Sequence, residues 1–313
     1  MIYAPIVIPT LCRYEHLRRC IESLERCKFA DETELYIALD YPTKDIHWTG
    51  YRQIEKYVKK LRGFKNVIVI KREKNFGPSW NERSACLTAL EKYDRVIVTE
   101  DDNEFSPNFL VFVNSGLEKY ENNRSVYSIC GYNYPVCIND YSKDVFFDHN
   151  YSAWGFATWK DRYLLTEAMF EKRSYLMNLL RNHPLKKFLQ SGMRCSSIVR
   201  LLHKERLGDY YITLYQHLNN LYSVFPKYTL VKNWGHDGSG ANCTALTDDN
   251  KFSKQELVNT SQFDFDFPGV VTDNEYVSSA IRKHFSLSLK EKIKNFILLL
   301  IIKLFIIIEG HKR

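Results

Sequence analysis

The stretch that most constrains this chain is Arg95-Val96-Ile97-Val98-Thr99-Glu100-Asp101-Asp102, a β-branched apolar run that ends in three consecutive carboxylates. A short run of this kind reads as a buried strand, where ionised acids are costly. The pattern therefore predicts that the acids lie at the strand's carboxyl end, facing the crevice that an open α/β sheet forms along that edge. Three adjacent acids repel one another unless something cationic neutralises them. Carboxylate oxygens suit Mg²⁺ or Mn²⁺, which keep open positions for a phosphate ligand. The competing role for Glu100, Asp101, Asp102 and Glu104 is to favour the positive end of a helix that Ser106 and Pro107 begin.

The surrounding pattern supplies the sheet. Ile6-Val7-Ile8, Leu35 to Leu39 and Val67 to Ile70 read as strands. Between them, Leu17, Ile21 and Leu24, and then Ile54, Val58 and Leu61, recur at helical spacing. Alternating strand and helix predicts a mostly parallel central sheet flanked by helices. Ser79-Trp80-Asn81-Glu82 has the form of a capping box opening a helix through Leu90, and a further helix is expected from Pro107 to about Tyr120. From Val126 the regularity fades into short aromatic strands, a helical region from about Asp161 to Arg206 interrupted at Pro184, and a β-rich stretch from Tyr222 to Trp234.

Composition excludes several classes. Lys+Arg total 44 against 37 Asp+Glu, and the resulting +7 is spread along the 313 residues with no basic arm or aromatic-basic repeat, so no nucleic-acid partner is expected. The eight cysteines form no Cys-x-x-Cys pair or zinc-like spacing and read as reduced core residues. The amino terminus lacks a secretory signal, which makes a cytoplasmic location the expectation. No Gly-x-Gly-x-x-Gly turn or Gly-x-x-x-x-Gly-Lys loop is present, which removes the main support for dinucleotide oxidoreductases and P-loop NTPases.

The matching segments then come together. They are Val7-Ile8-Pro9-Thr10 through Arg13 and Arg18-Arg19-Cys20-Ile21; Asp40; Val98-Thr99-Glu100-Asp101-Asp102 with Ser106-Pro107-Asn108-Phe109; Trp154-Gly155-Phe156-Ala157-Thr158-Trp159; and Gly208-Asp209. Through them the chain, over roughly residues 3 to 245, resembles GT-A glycosyltransferases, in particular bacterial polysaccharide transferases and, more distantly, N-acetylglucosaminyltransferase I. The resemblance implies a GT-A, Rossmann-like α/β fold with a nucleotide-sugar-binding half (1–125), an acceptor half (126–285) and a tail (286–313).

It also implies roles. Asp102 is the direct metal ligand for Mn²⁺ or Mg²⁺, with Asp101 and Glu100 toward the donor sugar and ribose. Pro9, Thr10, Arg13 and Asp40 border the nucleotide, Asp40 through the base. Asn75, in the Asn75-Phe76-Gly77 turn, approaches the donor. Asp209 is the base that takes the acceptor proton, with Asp161, Asp237 and Glu205 as rivals. Tyr151, Trp154, Phe156 and Trp159 offer sugar rings an apolar face, Trp154 and Trp159 foremost. His236, before Asp237-Gly238-Ser239-Gly240, closes over the diphosphate or adds a metal ligand. The implied activity is inverting transfer from a UDP-sugar to a glycan, with a retaining transferase, a sugar nucleotidyltransferase or a silent glycan-binding protein as alternatives.

The tail adds a partner. Phe296 to Ile308 is apolar except at Lys303 and is preceded by Lys290, Lys292 and Lys294. As a helix it spans roughly 20 Å, short of a ~30 Å hydrocarbon core. A helix lying in a membrane surface is expected, its lysines and Lys312-Arg313 meeting anionic headgroups. A lipid-linked oligosaccharide on the cytoplasmic leaflet then becomes the natural acceptor, and surface polysaccharide assembly the process.

Overall fold

The computed structural model describes residues 2–171, 173–182, 184, 194–203, 208–240, 251–252, 254–258 and 260–311. The first half runs β1 (Ile6–Thr10), α1 (Tyr14–Glu25), β2 (Glu34–Leu39), α2 (His47–Val58), β3 (Asn66–Lys71), α3 (Pro78–Lys92) and β4 (Arg95–Val98). Strands β3, β2, β1 and β4 pair in parallel in that order. Their helices cover a core in which Ile6, Val7, Ile8, Ile37, Val96 and Ile97 are inaccessible to solvent. The alternation seen in the sequence has this physical cause: two-faced burial demands continuous apolar strands, and helices supply both covers.

The second half begins with β5 (Asn103–Phe105), α4 (Phe109–Lys119), β6 (Val126–Cys130), β7 (Val145–Asp148) and β8 (Phe156–Trp159). Helices α5 (Lys160–Glu171), α6 (Arg173–Asn182), α7 (Cys195–Leu202) and α8 (Gly208–Asn219) follow, then β9 (Tyr222–Pro226), β10 (Val231–Asn233), α9 (Glu275–His284) and α10 (Leu289–His311). The sheet continues from β4 through β8, β6, β9 and β7, with β8 antiparallel to both β4 and β6. A mixed, mostly parallel α/β sheet is the result. Strands β5 and β10 form a separate antiparallel ribbon, pairing Asn103 with Asn233 and Phe105 with Val231.

The crevice has a local origin in the strands. Pairing between β1 and β4 ends at Val7 and Val98. The Val7 carbonyl accepts the Thr99 N–H on the β4 side, and alternation places the amide position of Pro9 on that same side, beyond the last β4 pair. A residue without an N–H costs no ladder bond there. Past this point the two chains separate, and Thr10, Arg13 and the acidic run face one another.

Two helix starts differ from the sequence expectation. Pro78, not Ser79, opens α3, with Gly77 at the N-cap and no side-chain cap bond, so the expected capping box is absent. Proline has the φ of a first helical residue and no N–H to satisfy, and it therefore sets the boundary. Helix α4 starts at Phe109 after Asn108, two residues later than expected. No helix among the described residues is long and apolar enough to cross a membrane.

Candidate active site

Asp101 and Asp102 are both nearly buried, and each is held at both oxygens. Thr10 Oγ1 donates to Asp101 Oδ2 at 2.8 Å, and Arg13 Nη2 donates to Asp101 Oδ1. The other terminal nitrogen of Arg13 lies 2.7 Å from Asp102 Oδ2, while Asn233 Nδ2 donates to Asp102 Oδ1 at 2.7 Å. Arg13 immediately precedes α1 and makes no cap bond, which leaves its side chain for the acids. Burial pushes the guanidinium pKa down, but Asp101 and Asp102 push it up further, and the net direction is up. Burial raises the Asp101 pKa, with Arg13 opposing. Glu100, beside this pair, is raised well above the usual range by burial and by the charges of Asp102, Asp209 and Glu82.

That last effect joins the two halves of the molecule. Asp209 lies in the first turn of α8, yet its charge is felt by Glu100 and by Tyr151 and Tyr134. The residue is exposed overall, while protein packs about its carboxyl group. Burial pushes its pKa up to about 6, opposed by a hydrogen bond from the Ala153 N–H. The segment supplying that N–H continues into Trp154 and Gly155. Gly155 has φ +71°, and a Cβ there would lie 2.9 Å from the Phe105 ring, so the turn that presents Trp154 requires glycine.

Trp154 stands edge-on to Tyr132 at 4.6 Å and to His236 at 5.6 Å, and His236 stacks on Phe252 at 5.7 Å. An aromatic wall thus closes one side of the cleft. Burial lowers the His236 pKa, with the charge of Asp102 pulling the other way. The turn after His236 is tethered: Asp237 accepts from Ser239 and lies 3.1 Å from His16 Nε2 on α1.

Several expected residues have other tasks. Asp40 accepts from the N–H groups of Tyr41, Phe76 and Gly77 at 2.9, 2.8 and 2.9 Å and from Asn75 Nδ2 at 3.1 Å. Its four acceptor positions are filled, and Asn75 also donates to the Tyr41 carbonyl at 2.7 Å. Asp40 and Asn75 therefore fasten the turn before α3 instead of offering free groups to a base or donor. Trp159 is buried beneath Arg162, whose guanidinium carbon is 3.3 Å from the ring centroid. Because β8 runs antiparallel to β4, Phe156 pairs with Val98 at the acidic edge while Trp159 pairs with Arg95 at the opposite one. Trp159 is no sugar platform. Asp161, ion-paired with Arg124, follows it to that far edge. Glu205 lies outside the described residues.

Three contributors were not anticipated from sequence: Asn233, Gly235 and Glu82. The β5–β10 ribbon carries Asn233 to Asp102, and the Trp234 N–H donates to the Asp102 carbonyl at 2.8 Å. A Cβ on Gly235 would lie 2.2 Å from Asp102 Oδ2. Among the described residues, no three His, Cys, Asp or Glu side chains converge to cage a metal by themselves. The donor set fits a hard cation held through the Asp102 carboxylate and shared with a diphosphate, since Mg²⁺ is commonly bound by one or two carboxylates plus substrate phosphates.

A mixed α/β sheet with paired acids at its switch edge forms a crevice of the kind in which open α/β sheets bind ligands. Residues 6–179, more than half of the chain, match the family described as "Glycosyl transferase family 2", and the chain belongs to that family. The mixed α/β sheet with flanking helices is GT-A-like. No curated protein matches the chain. Similar solved structures include S. aureus TarS (16% identity, TM-score 0.36, 54% of this chain and 49% of that one). The mannosyltransferase PcManGT from Pyrobaculum calidifontis, in complex with GDP-Man and Mn²⁺, is 13% identical (TM-score 0.36, 53% and 46%). Mouse xyloside xylosyltransferase 1 is 11% identical (TM-score 0.39, 71% and 83%). The chain thus spans about half the length of the first two structures.

Proposed function

We propose that this glycosyltransferase is inverting and cation-dependent, and that it moves a sugar from a UDP-sugar to a hydroxyl of a lipid-linked glycan in surface polysaccharide assembly at the cytoplasmic face of the membrane. The observation that carries the reaction type is the pairing of two unlike acid groups in one cleft. Asp101 and Asp102 share the Arg13 guanidinium, whereas Asp209, whose charge is felt by Glu100 beside them, has its pKa raised to about 6.

In this reading Asp209 accepts the proton of the acceptor hydroxyl. The acceptor oxygen forms its bond to the anomeric carbon from the face opposite the donor's diphosphate, and the bond from that carbon to the diphosphate oxygen breaks with its electron pair. A base near pKa 6 is ionised at neutral pH and retains more proton affinity than an ordinary aspartate. Arg13, already poised between two carboxylates, meets the charge of the departing diphosphate. Asp102 would hold Mn²⁺ or Mg²⁺, which when bound supplies Lewis-acid stabilisation to the diphosphate. Trp154, backed by the buried ring of Tyr132, gives the sugar an apolar wall that excludes water. UDP is chosen on the family resemblance.

The test is a screen of nucleotide sugars for Mn²⁺-dependent release of nucleoside diphosphate, comparing the natural sequence with Asp102→Ala. Release that requires both the cation and Asp102 supports the proposal. Equal release after chelation, or by the variant, contradicts it.

A further inference from the structure

Helix α10 has two faces with opposite commitments. Its inner face is fastened to the body: Ile302, Ile306 and Asn295 are buried, Asn295 Oδ1 accepts the Cys195 N–H at 3.0 Å, and Glu291 pairs with Arg194 at 2.8 Å. The contact with Cys195 satisfies a free amide at the start of α7, so this docking is specific in register. Its outer face is apolar and open. Leu289, Ile293, Phe296, Ile297, Leu300, Ile301, Leu304, Ile307 and Ile308 are each between 48% and 75% exposed.

Helical geometry makes these nine residues one stripe. At about 100° per residue, Ile293, Ile297, Leu300, Leu304 and Ile308 fall within roughly 40° of a common line, and the other four widen it. The same projection sets Lys292 and Lys303 along one border and Lys294 along the other, with Lys290 on that side at the helix's amino-terminal end. From Leu289 to Ile308 the stripe is about 30 Å long. An exposed apolar patch of this extent marks an interaction surface.

The lysine borders decide the occupant. We infer that α10 lies flat on an anionic phospholipid bilayer, its stripe among the acyl chains near the headgroups and its lysines against lipid phosphates. Long lysine stems bury alongside apolar surface while their ammonium groups stay at the interface. A second copy of the chain is the poorer occupant, because a twofold contact through the stripe sets four lysines against the same four. The anchored inner face keeps the helix from leaving the body to span the bilayer. Helix α10 packs on α7, which packs on α8, and the first turn of α8 carries Asp209. The membrane-facing helix and the acceptor-side acid thus belong to one helical layer.

The inference goes beyond the proposed reaction and is tested without nucleotide. The full chain is sedimented with vesicles of phosphatidylcholine alone or with about one-third phosphatidylglycerol. It should sediment with the anionic vesicles only, Leu300→Asp/Leu304→Asp should reduce this at least tenfold, and Lys292→Gln/Lys294→Gln/Lys303→Gln should weaken it severalfold and flatten its salt dependence. All five positions are exposed, so thermal transitions should match the natural sequence. Equal partition into neutral and anionic vesicles, no partition, or no change in the aspartate variant overturns the inference. So does a dimer in light scattering that the aspartate variant converts to monomer while vesicle binding stays absent.

Discussion

The acids at the end of β4 and the acid at the start of α8 differ in the partners that hold them. Asp101 and Asp102 are buried, each with a cationic contact and a hydroxyl or amide donor. Asp209 has the Ala153 N–H as its opposing contact, and its pKa is pushed up to about 6 by burial. Carboxylates held by several donors fix geometry, whereas a carboxylate with few donors is poised to exchange a proton. The difference separates binding the leaving group from receiving the proton.

The comparison can be broken from either side. Asp209→Asn should lower kcat by roughly 10²–10⁴-fold with little effect on donor KM, as removal of a general base does. Steady-state kinetics decide this, and a loss below tenfold would remove Asp209 from the role. Asp102→Asn should cost roughly 10²–10³-fold and erode Mn²⁺ dependence, read by metal titration of turnover. Gly235→Ala places a carbon 2.2 Å from where Asp102 Oδ2 stands, so the carboxylate must shift. A misplaced group of this kind costs roughly 10²-fold. The rival acid Asp161, at the far edge in an exposed pair with Arg124, should tolerate Asn with activity within about twofold.

Stability should divide the same acids. Arg13→Gln leaves buried carboxylates without their cation and should cost about 3 kcal/mol, seen as a lower Tm that UDP with Mn²⁺ partly restores. For Asp209 the sign reverses. Its folded pKa of about 6 exceeds the ordinary 3.8, so the fold favours the protonated acid, and the associated stability is present below 3.8 and lost as pH rises through 6. Asp209→Asn should therefore raise Tm at pH 7, the gain fading toward pH 4, while activity is lost. In the natural sequence, kcat/KM should fall as pH drops through about 6, and the variant should lack that inflection.

Much of the fold was legible because its signals are local. The apolar runs of β1, β2 and β4 and the helices between them announce a parallel sheet, and residues just past those strands, Thr10, Arg13 and Asp101, must share an edge. The rest depends on partners distant in sequence. Asn233 and Gly235 reach Asp102 through a ribbon linking residues some 130 positions apart, and nothing near them in the chain advertises it. Trp159 looked equivalent to Trp154 until strand direction placed them at opposite edges. Asp40 reads as a ligand because a carboxylate is visible in sequence, whereas the backbone N–H groups that claim it are not. Ser79 and Glu82 matched a capping pattern that Pro78 pre-empted. Asp209 stands out in the sequence only by family resemblance, and its electrostatic reach to Glu100 is a property of the folded chain.

The central claim is that Asp209 activates the acceptor on the face opposite the departing diphosphate, and the configuration at the transferred sugar's anomeric carbon reports on it directly. Proton NMR of the first-formed product, made with Mn²⁺ and an α-linked UDP-sugar, should show a β-linkage. An α-linkage in that product would contradict the claim.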